Sequence, residues 1–304
     1  MGWELIAGEL RKIIKGEIRL NECLRNHTTW RIGGTADLLV IPAIMDDVPV
    51  VLDFTRSKGL LLTVLGNGSN VLISDRGVRG LVLKLAGGPS SIMIQGDTMT
   101  VDASAMLPHV ARKACLQGLT GLEFMAGIPG AVGGAVVMNA GANGHSMDRV
   151  VKGLEVYHLD GTCEIMTASK LEFGYRSSIL QQKSLVITRA FLQLSRGNPS
   201  RIKREMEKNL QWRREKQPLN WPSAGSVFVN PEGHAAGYLI EASGGKGLRK
   251  GGAQVSEKHA NFIINLGQAT SSDVLYLIDE IKELVFRFCG IELKTEIQFL
   301  GEEM

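Results

Sequence analysis

The chain is 304 residues long, which allows two or three domains with buried cores. Hydrophobic residues make up 44% and charged residues 21% of it, so the composition excludes an intrinsically disordered protein. The 34 Lys and Arg residues outnumber the 31 Asp and Glu residues slightly, which leaves a net charge of +3. This excess is too small for nucleic-acid binding driven by counterion release, but it is compatible with a local anion site.

The cysteines are widely spaced and form no Cys-x-x-Cys pair, so they predict neither a disulfide framework nor a zinc site. The first twenty residues mix Glu and Lys with apolar residues at helical spacing, which predicts an amphipathic helix and not a signal peptide. The predicted apolar face consists of Leu5, Ile6, Leu10, Ile13 and Ile14. No apolar run approaches the roughly 18 residues that cross a membrane. We therefore expect a soluble protein in the reducing cytoplasm, with no membrane or nucleic-acid partner and no metal.

The first third of the chain reads as a β-α-β-turn-β pattern. Residues 37–42 and 60–66 are predicted strands, and the helix between them ends near Gly59. A glycine-rich turn follows at 66–70 and leads into two further short strands.

The middle third predicts an antiparallel α+β region. Gly96 and Asp97 are typical of a hairpin turn, as are Asp160 and Gly161. A helix with Pro108 in its first turn lies between these hairpins.

The last third begins with a charged helix at 199–216, for which Asn198 is the predicted N-cap. A second helix is predicted at 272–289 and should stop at Gly290. Residues 291–300 alternate strictly between apolar and polar, which predicts a strand with Glu296 on its polar face.

Two glycine-rich segments, 65–70 and 127–134, are the strongest candidates for ligand binding, and the second continues to Gly141. Their main chain lacks side chains that would block the approach of a pyrophosphate. Val71 stands where a Rossmann fingerprint needs its third glycine, and no P-loop motif occurs. The alternative interpretation is that both segments are merely tight turns; a dinucleotide held by two distant loops is the sharper hypothesis.

Three polar residues outside these loops could carry chemistry, although each also has an ordinary structural interpretation. Arg176 stands before two serines and would usually be a surface residue. Ser226 lies among small and apolar residues in a predicted tight turn, and Glu296 would usually be solvated. His259 and Asn261 lack metal-ligand spacing, so a structural hydrogen bond is their default role.

The sequence closely resembles the MurB family of UDP-N-acetylenolpyruvoylglucosamine reductases from Asn26 to Gly301. The resemblance is carried by motifs that occur in the family's order: NHTTWRIGGTADLLVIP (26–42), LGNGSNVLISD (65–75), GLEFMAGIPGAVGGAVVMNAGA (121–142), FGYRSS (173–178), AGSVFVNP (224–231), GGAQVSEKHANFIIN (251–265) and EI (296–297).

The resemblance implies an α+β protein with an FAD-binding fold of the vanillyl-alcohol-oxidase (PCMH) type. Two FAD-binding subdomains would occupy residues 1–90 and 91–198, and a C-terminal α+β substrate-binding domain would occupy 199–304. FAD would be held noncovalently, so His27 is not expected to bind it covalently. The implied FAD contacts are Gly66, Asn67, Gly68, Ser69, Asn70, Gly127, Ile128, Pro129, Gly130, Val132, Gly133, Gly134, Asn139, Ala140 and Gly141.

The implied reaction is the reduction of UDP-N-acetylglucosamine enolpyruvate to UDP-N-acetylmuramate for peptidoglycan, and hence for cell shape and division. NADPH would reduce the flavin and leave before the UDP-sugar enters. Hydride from flavin N5 would then reach the enolpyruvyl methylene. Arg176 and Glu296 match the residues that bind and polarise the substrate carboxylate, and Ser226 matches the proton donor.

The resemblance also implies substrate contacts. Asn230 matches a substrate-contacting asparagine, and either Arg213 or Arg214 would reach the UDP phosphates. Gln254, Lys258 and His259 are weaker candidates. The tyrosine-bearing loop of some family members is missing after the FGYRSS motif, which indicates the shorter, type II branch.

Other functions remain open at this point. A flavoprotein oxidase of the same fold would not need Arg176, Ser226 and Glu296 together. A homologue that binds flavin without turnover would be a sensor or a scaffold, and a sugar-nucleotide-binding module would leave the glycine-rich loops unexplained. We expect a monomer.

Overall fold

The computed structural model describes residues 2–302, which form seven α-helices and several small sheets. The helices are α1 (Trp3–Leu10), α2 (Val48–Ser57), α3 (Leu107–Leu116), α4 (Val132–Val137), α5 (Pro199–Lys216), α6 (Ala236–Ala242) and α7 (Ser271–Cys289). Within the described range, none of them combines the length and the hydropathy that a membrane-crossing helix needs.

The chain divides into two compact units, each assembled from separate stretches of sequence. Unit 1 contains the residues up to Leu20 together with 37–67 and 80–212. Unit 2 contains 21–36, 68–79 and the residues from Arg213 onward. The three contiguous domains expected from the sequence stay a prediction.

A four-stranded sheet forms the first part of the fold, and the elements expected there are confirmed. Its strands, in spatial order, are Gly16–Cys23, Thr35–Pro42, Val78–Lys84 and Leu62–Leu65, the last two being parallel. Helix α2 begins after Asp47 and buries Val51 and Leu52 in the core of unit 1.

The N-terminal helix is shorter than its apolar pattern predicted. It ends at Leu10, where Ile6 and Leu10 are buried. Leu5 and Ile13 belong to the predicted apolar face, but their exposed fractions are 69% and 49%. The prediction is therefore wrong for these two residues. The strand Gly16–Cys23 follows closely, which leaves no room for a helix over the first twenty residues.

The other large sheet of unit 1 is antiparallel and has five strands. In spatial order these are Cys163–Thr167, Val151–His158, Leu185–Gln193, Thr98–Asp102 and Ile92–Gln95. Both predicted hairpins are confirmed, with Gly96 and Gly161 at φ values of 58° and 91° in the turns. Two smaller pairs accompany the sheet: Gly141–Ala142 with His145–Ser146, and Leu119–Thr120 with Ser195–Arg196. Buried side chains of helices α3 and α4 belong to the same hydrophobic core as this sheet.

The charged helix α5 begins where the sequence predicts. The side-chain oxygen of Asn198 accepts hydrogen bonds from the N–H groups of Ser200 and Arg201 at 2.9 and 3.2 Å. These bonds satisfy donors that have no partner inside the helix, which fixes its start.

Unit 2 contains a three-stranded antiparallel sheet and a two-stranded parallel one. The first consists of Arg249–Lys250, Ala253–Val255 and Ile263–Asn265, and the second of Val71–Ile73 with Gln298–Leu300. Helix α7 packs its apolar side chains, including Val274, Ile278 and Ile281, into the core of this unit. Gly290 ends the helix at φ 72°, as predicted.

The continuous strand predicted at 291–300 is wrong. Only Gln298–Leu300 is a strand, and it pairs with Val71–Ile73. Thr295 forms an isolated bridge with Phe228 instead. Because the chain changes partner between these positions, the alternation fails at its end, where Phe299 is 41% exposed.

Replacing Thr270 by Ala should destabilise unit 2 through helix α7. The Thr270 hydroxyl accepts the N–H of Asp273 at 3.1 Å, and the Asp273 carboxylate accepts the N–H of Thr270 at 3.1 Å. Loss of such a cap costs about 1 kcal/mol. We expect Thr270→Ala to lower the midpoint of urea unfolding, measured by circular dichroism, and Thr270→Asn to restore it. Equal midpoints for Ala and wild type would contradict this role of the capping box.

Candidate functional site

The two glycine-rich segments meet in unit 1, although they are far apart in sequence. The side-chain amide of Asn67 donates a hydrogen bond to the carbonyl of Pro129 at 2.6 Å. The first loop follows the strand Leu62–Leu65 and the second leads into α4. The contact brings the two loops together, and their joint binding of a dinucleotide stays a prediction.

The main chain of these loops is open at two of its glycines. A Cβ atom added at Gly66 or Gly134 would meet no other atom within 4 Å. No internal clash thus requires glycine there, whereas a ligand at van der Waals distance from the backbone would. Gly133 is different, because its Cβ would lie 3.0 Å from that of Ala103.

Part of the second loop is committed to internal hydrogen bonds. The N–H groups of Val132 and Gly133 donate to the carbonyls of Ala105 and Ala103, each at 2.9 Å. The side chain of Val132 is also fully buried. These two N–H groups are therefore used within the protein, and open backbone remains beside Gly134, which is exposed.

Arg176 occupies a tight turn beside the end of the second glycine-rich segment. Its φ is 56°, a left-handed conformation that non-glycine residues adopt rarely. Its Nη2 donates to the carbonyl of Gly141 at 2.9 Å, and its guanidinium carbon lies 5.0 Å from the centre of the Tyr175 ring. The turn thus fixes the cation next to candidate FAD-binding residues.

Asn139 links the end of the second glycine-rich segment to the Arg176 turn and is buried in unit 1. It is 4% exposed, and its amide nitrogen donates to the carbonyl of Gly174 at 2.9 Å. Its amide oxygen accepts the N–H of Asp148 at 3.0 Å. The side chain therefore holds the Arg176 turn in place, and any contact of Asn139 with FAD would involve its main chain or remaining amide hydrogen.

The second half of the first glycine-rich loop is attached to Glu296 within unit 2. The side-chain amide of Asn70 donates to the carbonyl of Glu296 at 3.1 Å. Gly68 has φ 65°, and a Cβ there would lie 2.3 Å from the carbonyl oxygen of His27. Contact with the protein's own backbone therefore requires glycine at position 68. Ser69, between Gly68 and Asn70, is half-buried.

Ser226 and Glu296 lie on neighbouring backbone segments of unit 2. The N–H of Glu296 donates to the carbonyl of Val227, the residue after Ser226, at 2.7 Å. Gly225, before the serine, has φ 80°. The chain bends at Gly225 and at Val227, on either side of the serine, and both Ser226 and Glu296 are partly exposed.

Of the two arginines considered for the UDP phosphates, only Arg213 is desolvated. Burial lowers the pKa of the Arg213 guanidinium, and no carboxylate in residues 2–302 forms an ion pair with it. Arg214 is exposed, and its carbonyl accepts a hydrogen bond from Nζ of Lys258 at 2.5 Å. A guanidinium stays charged at neutral pH, so Arg213 is a partly buried cation without an anion.

The remaining substrate-contact candidates already make internal contacts. The Asn230 side-chain oxygen accepts the N–H of Ala236, the first residue of α6, at 3.0 Å. The amide nitrogen of Gln254 donates to the carbonyl of Gly247 at 3.4 Å. Burial lowers the pKa of His259, so its ring is neutral at pH 7 and packs 4.9 Å from that of Phe262. Their roles toward the substrate stay predictions.

Thr29 is a residue that sequence reasoning missed, and it contacts both the glycine turn and the serine loop in unit 2. Its N–H donates to the carbonyl of Gly68 at 3.0 Å, and its hydroxyl donates to the carbonyl of Ser223 at 2.8 Å. Only its place in the motif at 26–42 marked it. In the described part of the chain, no cluster of His, Cys, Asp and Glu could hold a metal, and the four cysteines are free.

Family models match most of the chain. An FAD-binding domain model matches residues 36–167, and the model of the UDP-N-acetylenolpyruvoylglucosamine reductase C-terminal domain matches residues 217–300. These matches confirm the predicted FAD-binding fold and the predicted C-terminal domain.

Relatives that align with the chain over nearly their whole length are UDP-N-acetylenolpyruvoylglucosamine reductases. The chain is 46% identical over 298 residues to the UDP-N-acetylenolpyruvoylglucosamine reductase of Desulforamulus reducens, covering 98% of each chain. It is 48% identical over 297 residues to that of Moorella thermoacetica, again covering 98% of each. The Bacillus subtilis enzyme is 42% identical over 299 residues, covering 98% of this chain and 99% of that one.

A solved structure agrees with this result. The crystal structure of the Thermus caldophilus reductase (MurB) superposes with a TM-score of 0.80 at 36% identity, covering 94% of this chain and 99% of that one. The agreement confirms the α+β FAD-binding fold with its C-terminal domain. The chain therefore belongs to the family of UDP-N-acetylenolpyruvoylglucosamine reductases.

Proposed function

We propose that this chain reduces the enolpyruvyl group of UDP-N-acetylglucosamine enolpyruvate to UDP-N-acetylmuramate, using NADPH as the electron source. Family membership supports the FAD-dependent oxidoreductase class and the role in peptidoglycan synthesis. The single observation that carries the assignment of residues is the hydrogen bond from Glu296 to Val227, because it places Ser226 and Glu296 on adjacent backbone.

The open main chain at Gly66 and Gly134 supports noncovalent binding of the FAD pyrophosphate. When bound, FAD supplies the hydride that adds to the terminal carbon of the enolpyruvyl double bond. Addition of hydride leaves negative charge on the neighbouring carbon and its carboxylate. We assign stabilisation of this charge to Arg176, whose guanidinium carries a permanent positive charge.

Completion of the reduction needs a proton at the carbon next to the carboxylate. We assign this proton to the hydroxyl of Ser226, which the turn at Gly225 and the bonded backbone of Val227 hold in place. A serine hydroxyl is a weak acid, but a substrate carbanion is a far stronger base than any side chain. Glu296, on the adjacent segment, would bind and polarise the substrate carboxylate in its protonated form, because only a protonated carboxyl group can donate a hydrogen bond to a second carboxylate.

Arg213 is the better candidate for the UDP diphosphate. Its guanidinium has lost part of its hydration without gaining a carboxylate, so a diphosphate would satisfy it. Arg214 is solvated and has no such need. The choice between the two arginines, which the sequence left open, therefore falls on Arg213.

Replacing Arg213 by Met should raise the KM for the UDP-sugar by about tenfold to a hundredfold, the usual worth of hydrogen bonds to a charged group. The apolar stem is kept, so packing changes little. Arg214→Met is the control, and its effect should be much smaller. Steady-state assays at saturating NADPH measure both. A larger effect at Arg214 would reverse the assignment.

NADPH and the cytoplasmic location belong to the same proposal. Four free thiols suit a reducing compartment, and NADPH is the reductant expected for this family. We also propose that the protein works as a monomer and serves cell shape and division through peptidoglycan.

A two-part assay tests the proposed function as a whole. The purified protein should be yellow, and NADPH absorbance at saturating concentrations should fall rapidly only after the enolpyruvyl UDP-sugar is added. Oxidation of NADPH by oxygen at the same rate without the sugar would instead indicate an oxidase of the same fold.

A further inference from the structure

Asn261 is a buried polar residue beside the proposed proton donor. It is 3% exposed and belongs to the segment before the strand Ile263–Asn265 in unit 2. Its backbone carbonyl accepts the N–H of Val227 at 2.8 Å. The contact falls on the residue that follows Ser226 in the chain.

The side chain of Asn261 extends this pairing by one residue. Its amide oxygen accepts the N–H of Phe228 at 2.9 Å, and its amide nitrogen donates to the carbonyl of Phe228 at 2.8 Å. A primary amide is planar and presents one acceptor and two donors, so it can pair with the N–H and the C=O of one residue as a neighbouring strand would. Phe228 itself is 1% exposed, so neither bond competes with water.

The opposite edge of the same segment is held as well. The carbonyl of Val227 accepts the N–H of Glu296 at 2.7 Å, and the N–H of Val229 donates to the carbonyl of Lys294 at 2.9 Å. The backbone after Ser226 is thus fixed between Asn261 on one side and the Glu296 segment on the other. Removal of either side would let the serine loop shift relative to Glu296.

We propose that Asn261 is a positioning residue for Ser226, which fixes the serine hydroxyl relative to Glu296 for proton transfer. The inference rests on the proposed function, in which Ser226 donates the proton. Transfer of a proton in the transition state needs a donor and acceptor at hydrogen-bond distance, and a displacement of about 1 Å can cost about a hundredfold in rate. A side chain that touches no substrate can therefore control the step.

Asn261→Ala removes both side-chain bonds and keeps the backbone carbonyl. In stopped-flow experiments we expect NADPH to reduce the bound flavin at the wild-type rate. Reoxidation of the reduced flavin by the enolpyruvyl UDP-sugar should slow by about tenfold to a hundredfold, as for a misplaced catalytic group. The solvent deuterium isotope effect on reoxidation should rise, because proton transfer becomes more limiting.

Asn265→Ala is the matched control. Asn265 ends the strand that follows Asn261, is 2% exposed and also uses both ends of its amide, which donates to the carbonyl of Trp30 and accepts the N–H of Ala269. The Asn265→Ala variant should lose thermal stability to the same extent as Asn261→Ala, but it should keep the wild-type isotope effect on reoxidation. Equal isotope effects and reoxidation rates in the two variants would reduce Asn261 to a structural residue.

A double-mutant cycle separates positioning from general damage. If Asn261 acts through the serine hydroxyl, Asn261→Ala should slow reoxidation little further when Ser226 is already Ala. Losses that multiply in the double variant would overturn the proposal. Wild-type reoxidation in Ser226→Ala alone would instead refute the proposed function, which makes the two failures distinguishable.

Asn261→Asp serves if the alanine variant does not fold. The introduced carboxylate can accept the Phe228 N–H but repels the Phe228 carbonyl, and only its protonated form can donate to that carbonyl. Reoxidation relative to wild type should therefore recover as pH falls. The proposal would be contradicted if the reoxidation rate of Asn261→Asp, divided by that of wild type, did not change with pH between about 5 and 8, where a buried carboxyl group titrates.

Discussion

Ser226→Ala should leave reduction of the flavin by NADPH intact and slow reoxidation by the enolpyruvyl UDP-sugar by about 10²- to 10⁴-fold, the usual contribution of a general acid. The hydroxyl is expected to act only on the sugar substrate, so binding of FAD and NADPH should not depend on it. The substitution removes one partly exposed oxygen and keeps the backbone bond between Val227 and Glu296. The loop should therefore keep its conformation.

Rapid-mixing absorbance measurements at the flavin band distinguish the two half-reactions. Ser223→Ala is a matched control, since Ser223 lies in the same loop and is held through its carbonyl, which Thr29 contacts at 2.8 Å. It should reoxidise at nearly the wild-type rate. A Ser226→Ala protein that lacks flavin would give this serine a structural role, and one that turns over normally would move the proton donor elsewhere.

Local signals in the sequence predicted the helices well because their causes are local. Asn198 caps α5 through bonds to residues two and three positions later, and Gly290 ends α7 because it adopts a left-handed conformation. The N-terminal pattern predicts an apolar helix face that includes Leu5 and Ile13, but both side chains are exposed. Apolar spacing states which side chains could share a face; it does not state which of them a partner covers.

The candidate site depends on contacts that composition and spacing could not provide. Glycine content pointed to the loops, but the bond between Asn67 and Pro129 joins residues far apart in the chain. The sequence pattern alone predicts an ordinary solvated Glu296, whereas in the fold its N–H donates to the carbonyl of Val227. The resemblance to a known family named these residues, whereas the long-range hydrogen bonds give a physical reason for their proximity within each unit.

The predicted final strand shows the same limit. Alternation along residues 291–300 is real for Leu293 and Ile297, which are both buried. Yet the segment pairs with Phe228 at Thr295 and with Val71–Ile73 from Gln298 onward. A change of partner along one segment depends on tertiary structure, so a pattern of period two cannot reveal it.

Gly134→Val should abolish most FAD binding while leaving the fold intact. Space for the new side chain exists in the protein alone, because an added Cβ meets nothing within 4 Å and residue 134 is exposed in helix α4. If the FAD pyrophosphate lies against this main chain, the valine occupies the volume that the ligand needs. A rise of tenfold or more in the Kd for FAD corresponds to about 1.4 kcal/mol or more of lost binding free energy.

Gly8→Val is the control, because Gly8 also lies in a helix and its Cβ would also meet nothing within 4 Å. Both variants should keep the circular dichroism spectrum of wild type. Only Gly134→Val should purify with little flavin and lose the thermal stabilisation that added FAD gives by mass action. A yellow Gly134→Val protein with wild-type affinity would show that this backbone does not face the cofactor, and the segment at 127–134 would then be a turn that serves the fold alone.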